Sequence, residues 1–123
     1  MASLVIERDE LVVRLSHLEQ LAAQRGDVHV PLCSVTRIST EGCPYDALRG
    51  LCAPGTGVPR RLAYGVRLFT GGRPDFAALH GPGPAIRIDL SEAAPFGRLL
   101  VTVPDTEAAI AVVEHGVKRA HVA

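Results

Sequence analysis

Between residues 61 and 103 the chain is cut into short apolar runs by turn sequences, and this punctuation restricts its fold more than any other feature. The runs are Arg61 to Phe69, Asp75 to His80, Ala85 to Leu90 and Arg98 to Val103; Gly71-Gly72-Arg73-Pro74 and Gly81-Pro82-Gly83-Pro84 separate the first three. Glycine supplies positive φ at such corners and proline a fixed φ, so each break reads as a tight turn between strands. Ile86, Arg87, Ile88, Asp89 and Leu90 alternate strictly, which directs the three apolar side chains inward and the two charges outward. Successive strands of this kind predict an antiparallel meander that curls into a sheet or partial barrel.

The N-terminal third predicts a hairpin followed by a short helix. Leu4 to Ile6 and Leu11 to Leu15 form the strands, with Arg8, Asp9 and Glu10 at the turn. Ser16-His17-Leu18-Glu19 has the S-x-x-E form of a capping box, in which the Ser hydroxyl and Glu carboxylate satisfy backbone donors reciprocally. The helix is expected to run to about Arg25, with Leu18, Leu21 and Ala22 as its apolar face and Gly26 as a left-handed cap. An extended segment from Val28 to Thr40 follows, and Pro31 marks an edge or bend because it cannot donate a ladder hydrogen bond.

At the C-terminus, Asp105 is an N-cap residue, Glu107 lies where the helix dipole favours an anion, and Ala109, Ile110 and Val113 form an apolar stripe. This helix is expected to end at Gly116 and pack on the sheet, leaving residues 117–123 as a frayed tail to one domain spanning residues 1–116. The fold class is therefore α+β: a mainly antiparallel sheet or partial barrel, a short helix near the N-terminus and a C-terminal helix on the sheet. A chain of 123 residues can bury roughly two-thirds of its unfolded surface. With two Tyr, three Phe and no Trp, its core must be aliphatic.

Strands closed by one amphipathic helix resemble the bacterial pleckstrin-homology-like domains, in which a curved antiparallel sheet is plugged by a C-terminal helix. The chain is also similar to small bacterial proteins of this length with no assigned chemistry. That likeness rests on Val30-Pro31-Leu32 with Val35, Phe76-Ala77-Ala78-Leu79, and above all the run from Leu48 to Pro59. The resemblance implies no functional residues. A helix directly after the first hairpin departs from the pleckstrin-homology pattern. The dominance of Arg, twelve against the single Lys118, fits a GC-rich bacterial genome.

Residues 41–61 show no strand or helix periodicity and read as one long loop, the segment type that most often carries function. Gly55, Thr56 and Gly57 could form a nest of backbone donors for an anion, with Arg49, Arg60, Arg61 and Arg73 nearby in sequence. Residues 44–88 hold six Arg and two Asp, a surplus of four positive charges, while the flanking segments are each acidic by two. An anionic small molecule or lipid headgroup is the ligand such a rim would take. The opposing explanation is that the glycines and prolines serve turn geometry and the arginines are solvated strand positions.

Other chemistries find less footing. Thirteen basic residues balance thirteen acidic ones, which argues against a nucleic-acid partner. No Walker, dinucleotide or G-x-S-x-G motif occurs. Cys33, Cys43 and Cys52 lack C-x-x-C pairing and the five His are dispersed, so neither a metal nor another cofactor is expected. His29 and Cys33, four apart on an extended segment, would stand about 13 Å from each other, too far for a catalytic pair. No signal peptide and no stretch near the ~20 apolar residues of a membrane span is present, so a cytoplasmic location is expected. The leading expectation is a small interaction domain that binds a protein partner or a second copy of itself; the alternatives are the anion site and, less favoured, a small enzyme using the 43–61 loop.

Overall fold

The chain folds into two β-sheets and two helices in the computed structural model, which describes residues 1–122 and, for 52–54, 121 and 122, the backbone alone. β1 (Ser3–Glu7) and β2 (Glu10–Arg14) form the expected hairpin, with Glu7 opposite Glu10 across a two-residue turn in which Arg8 has φ 56°. β3 (Val28–Pro31) pairs with β2 to complete a three-stranded antiparallel sheet. Pro31 ends an edge strand, where its missing donor leaves no gap in the ladder.

α1 (His17–Ala23) starts as the sequence predicts: Ser16 Oγ accepts from the Glu19 amide at 3.2 Å, and Glu19 Oε1 accepts from the Ser16 amide at 3.0 Å. It ends before Arg25, because Gln24 and not Gly26 takes the left-handed cap, at φ 57°. The expected apolar face is also corrected. Of that face Ala22 does pack against the core, beside buried Glu19 and Ala23, whereas Leu18 and Leu21 are 79% and 74% exposed. The Glu19 carboxylate fixes the rotation, since it serves both the cap and the Tyr64 hydroxyl beneath the helix.

The larger sheet contains β4 (Val35–Glu41), β5 (Leu51–Val58), β6 (Leu62–Leu68), β7 (Asp75–His80), β8 (Ala85–Leu90) and β9 (Arg98–Val101), in the order β4-β8-β9-β7-β6-β5. It is an open sheet, not a closed barrel. The simple meander is corrected as well, because β9 inserts between β7 and β8 and runs parallel to β7. The Gly81-to-Pro84 turn therefore crosses two strand spacings, about 10 Å, and Gly81 and Gly83 take φ 70° and 105° to make the crossing.

Alternation sorts this sheet into two faces. One carries Phe76, Ile86, Ile88, Leu99 and Val101 against Leu11, Val13, Val28 and Val30 of the small sheet and Val113 of the C-terminal helix. Burying each such side chain contributes roughly 1.5–3 kcal/mol. The other face carries Ala63, Leu79, Ala85 and Leu100, covered by Tyr45, Ala47 and Leu48 from the segment before β5. Part of that cover is a short 3-10 turn, Pro44–Ala47.

α2 (Thr106–Val122) is capped by Asp105, whose Oδ1 accepts from the Ala108 amide at 3.1 Å. Val113 is buried, and Ala109 and Ile110 pack on the core, as the stripe predicted. The helix does not stop at Gly116 but continues to Val122, so 117–122 are helical; Ala123 lies outside the described residues. Gly116 serves close packing: a Cβ there would lie 3.2 Å from Ile6 Cγ1 and 3.4 Å from Leu32 Cδ2.

Candidate functional site

The structure turns much of the expected 41–61 loop into a strand. Gly55, Thr56 and Gly57 lie in β5 opposite Gly65, Tyr64 and Ala63, with an irregular register between Cys52 and Gly55. Glycine and proline are depleted in strands, so the sequence gives no strand signal here. The glycines are ladder residues, and the Thr56 hydroxyl donates to the Ala22 carbonyl of α1 at 2.8 Å.

The four arginines meet different acceptors. Arg49 donates to both Asp75 carboxylate oxygens at 2.7 and 2.6 Å and lies over the Phe69 ring, 4.4 Å from its centroid. Hydrogen bonding to Asp75 pushes the Arg49 guanidinium further up from its already high range. Arg73 donates to the carbonyls of Leu90, Ser91, Ala94 and Phe96, all within 2.9 Å, and so holds the β8–β9 connection together. Arg60 occupies the β5–β6 turn at φ 59° and pairs with Asp46 at 2.7 Å, an exposed pair that contributes at most about 1 kcal/mol. Arg61 is exposed and has no ion pair among the described residues. Three of the four guanidinium groups thus make their hydrogen bonds to the protein itself.

The neighbouring arginines behave alike. Arg67 donates to the carbonyls of Arg49 and Gly50; Arg87 and Arg98 both reach Asp89, and Arg98 also donates to the Ala47 carbonyl. Of the six arginines counted in residues 44–88, Arg49, Arg60 and Arg67 fasten the covering segment to the sheet, while Arg73 and Arg87 bond elsewhere in the fold. A cleft of about 340 Å³ does open between Tyr45–Leu48 and the β5–β6 turn, but Arg60 and Arg67 enter it already engaged.

Cysteine and histidine come no closer to a site. Cys33 and Cys43 are exposed free thiols, the Cys52 side chain lies outside the described set, and His29 neighbours Glu10 at 3.7 Å. Among the described residues no group of three or more His, Cys, Asp or Glu is placed to hold a metal ion. No described helix is long and apolar enough to cross a membrane.

The surface that does stand out is apolar. Seven large hydrophobic side chains are exposed among the described residues, and five lie on three packed neighbours: Leu18 and Leu21 on α1, Leu51 and Val58 on β5, Leu68 on β6. Leu51 and Leu68 are direct cross-strand partners on the sheet edge. Scattered exposed leucines are ordinary, but two on one short helix and a cross-strand pair at the neighbouring sheet edge are more than scatter. Sequence reading missed this face by assigning Leu18 and Leu21 to the core; the Ala22-Ala23 pair, small enough for close helix–sheet approach, was the available signal.

Comparison with known protein families, curated proteins and solved structures finds no match.

Proposed function

We propose that this chain is a protein-interaction module whose contact surface is the outward face of α1 together with the β5 edge, and whose partner is a second copy of itself. One observation carries the reading: among the described residues four of the seven exposed large apolar side chains lie on α1 and β5, and a fifth, Leu68, is the β6 partner of Leu51. The edge is also the less protected of the two. β4 presents Arg37 and Glu41, whereas β5 contains no charged residue along Leu51–Val58. Charges on an edge discourage strand addition, and uncharged edges invite it. Pro54 and the irregular register confine such pairing to Gly55–Val58, a stretch whose antiparallel self-pairing would be two-fold symmetric. The reading rests on this surface and not on the pleckstrin-homology resemblance. The anion alternative at Arg49, Arg60, Arg61 and Arg73 has less support, since three of those side chains already have acceptors.

Sedimentation equilibrium from micromolar to millimolar protein, at low and high salt, tests the reading. A dimer that survives high salt, and that dissociates in a folded Leu18→Ser/Leu21→Ser variant, is the expected result, because apolar contacts are not screened. A wild-type monomer throughout that range would overturn it.

A further inference from the structure

We infer that the groove between α2 and the β1–β2 hairpin binds an anionic amphiphile, a free single-chain molecule with a carboxylate head and an apolar tail. The groove measures about 530 Å³, within the size of ordinary small-molecule sites. Its apolar part is formed by Ile6, Leu32, Val112 and Gly116. Val112 is the one exposed large hydrophobic residue on α2 among the described residues, so this floor extends a stripe that the core leaves uncovered. Gly116 lets the helix sit against Ile6 and Leu32 and sets the depth of the groove.

Its polar part carries two arginines and a histidine. Arg8 enters from the hairpin turn, and His115 and Arg119 enter from α2, where a spacing of four places them on one side of the helix. Asp9 is the only acidic residue in the lining. Among the described residues neither Arg8 nor Arg119 has an ion pair or side-chain hydrogen bond, unlike the engaged arginines of the large sheet. Two unengaged guanidinium groups above an apolar floor match a head that accepts bidentate hydrogen bonds and a tail that leaves water. Arg8 is also held at φ 56°, where Asn or Gly is the usual occupant of a two-residue turn. α2 packs against β1, β4 and β8, whereas α1 packs against β5 and β6, so this inference is independent of the proposed self-association.

The test is an NMR titration of the isotope-labelled protein with decanoate below its micelle concentration. Acetate, decyltrimethylammonium and phosphatidylglycerol vesicles serve as the other probes. Saturable shifts at the amides of residues 6–9, 32 and 112–120 with decanoate, much weaker ones with acetate, and none with the cation are expected. An Arg8→Asn/Arg119→Gln variant should bind decanoate about tenfold more weakly or worse; Asn tolerates the left-handed turn, and an unchanged amide spectrum elsewhere confirms its fold. Equal binding of the cationic amphiphile, shifts on α1 and β5 instead of the groove, response to vesicles alone, or no response to millimolar decanoate would each overturn the inference.

Discussion

The Arg49 guanidinium forks onto the Asp75 carboxylate with hydrogen bonds of 2.7 and 2.6 Å, tying the segment that covers the large sheet to the first residue of β7. The two partners are unequally placed: the Asp75 side chain is 3% exposed and that of Arg49 38%. Removing Arg49 therefore strands a buried carboxylate, while neutralising Asp75 leaves an arginine that water can still reach. Arg49→Met should cost about 2–4 kcal/mol, less than the roughly 3–5 kcal/mol of a fully buried pair, and Asp75→Asn should cost distinctly less. Arg49→Lys should recover only part of the loss, because an ammonium neither forks nor stacks on Phe69 as guanidinium does. Urea unfolding of the three variants checks the order, and equal losses for Arg49→Met and Asp75→Asn would contradict it.

Arg73 makes a different kind of bond set, four hydrogen bonds to backbone carbonyls and no carboxylate. Arg73→Met should loosen the 90–97 connection and lower stability by about 2–4 kcal/mol, given that each orphaned acceptor costs about 1–3 kcal/mol before water reaches it. Amide exchange should accelerate first at Leu90, Ala94 and Gly97, which donate to Gly97, Ser91 and Pro74 carbonyls within and beside that connection. Acceleration spread evenly over the sheet would show instead that Arg73 supports the fold globally.

The features legible in the sequence were those decided within a few residues. The capping box at Ser16 and Glu19, the strict alternation in β8 and the Asp105 cap needed no distant partner to be read. Three others were set across the fold. β5 became a strand because β6 offered it a ladder, overriding its glycines and Pro54. α1 turned its leucines outward because Glu19 had a hydroxyl to meet below it. β9 moved between β7 and β8 because the 91–97 connection, held by Arg73, returns it there. The candidate anion site has less support than its arginine count suggests for a related reason: a sequence gives the number of arginines but not the carbonyls and carboxylates across from them.

Gly50 offers a test of backbone fit. Its φ is 68°, and a Cβ there would stand 2.1 Å from the Leu68 carbonyl oxygen, a backbone atom that cannot swing aside. Gly50→Ala combines left-handed strain with overpacking, each about 1–3 kcal/mol, and should lose roughly 3 kcal/mol or more. Gly57→Ala, with open space around its Cβ and no positive φ, is the control and should stay within about 0.5 kcal/mol. Thermal unfolding of both variants settles the comparison, and similar losses would mean that residue 50 readily takes another backbone conformation.

Tyr64 is 6% exposed beneath α1, and burial, then the negative charge of Glu19 and its hydrogen bond with that carboxylate, push its phenol well above the usual range. Burial raises Tyr45 as well, whose hydroxyl donates to the Gly81 carbonyl at 3.0 Å. An unfolded tyrosine releases its proton near pH ~10. Above that pH the unfolded chain holds fewer protons than the native one, so stability must fall as pH rises, while below it these two residues contribute no slope. Tyr64→Phe removes the larger part of this alkaline slope and leaves that of Tyr45. At neutral pH the same variant should cost about 1–2 kcal/mol, because the Glu19 carboxylate loses a hydroxyl donor in a buried place. Urea unfolding of wild type and variant from neutral pH to about pH 11 reads both effects. Parallel curves over the alkaline range would show that Tyr64 titrates alike in both states, and that the Glu19 contact does not hold its proton.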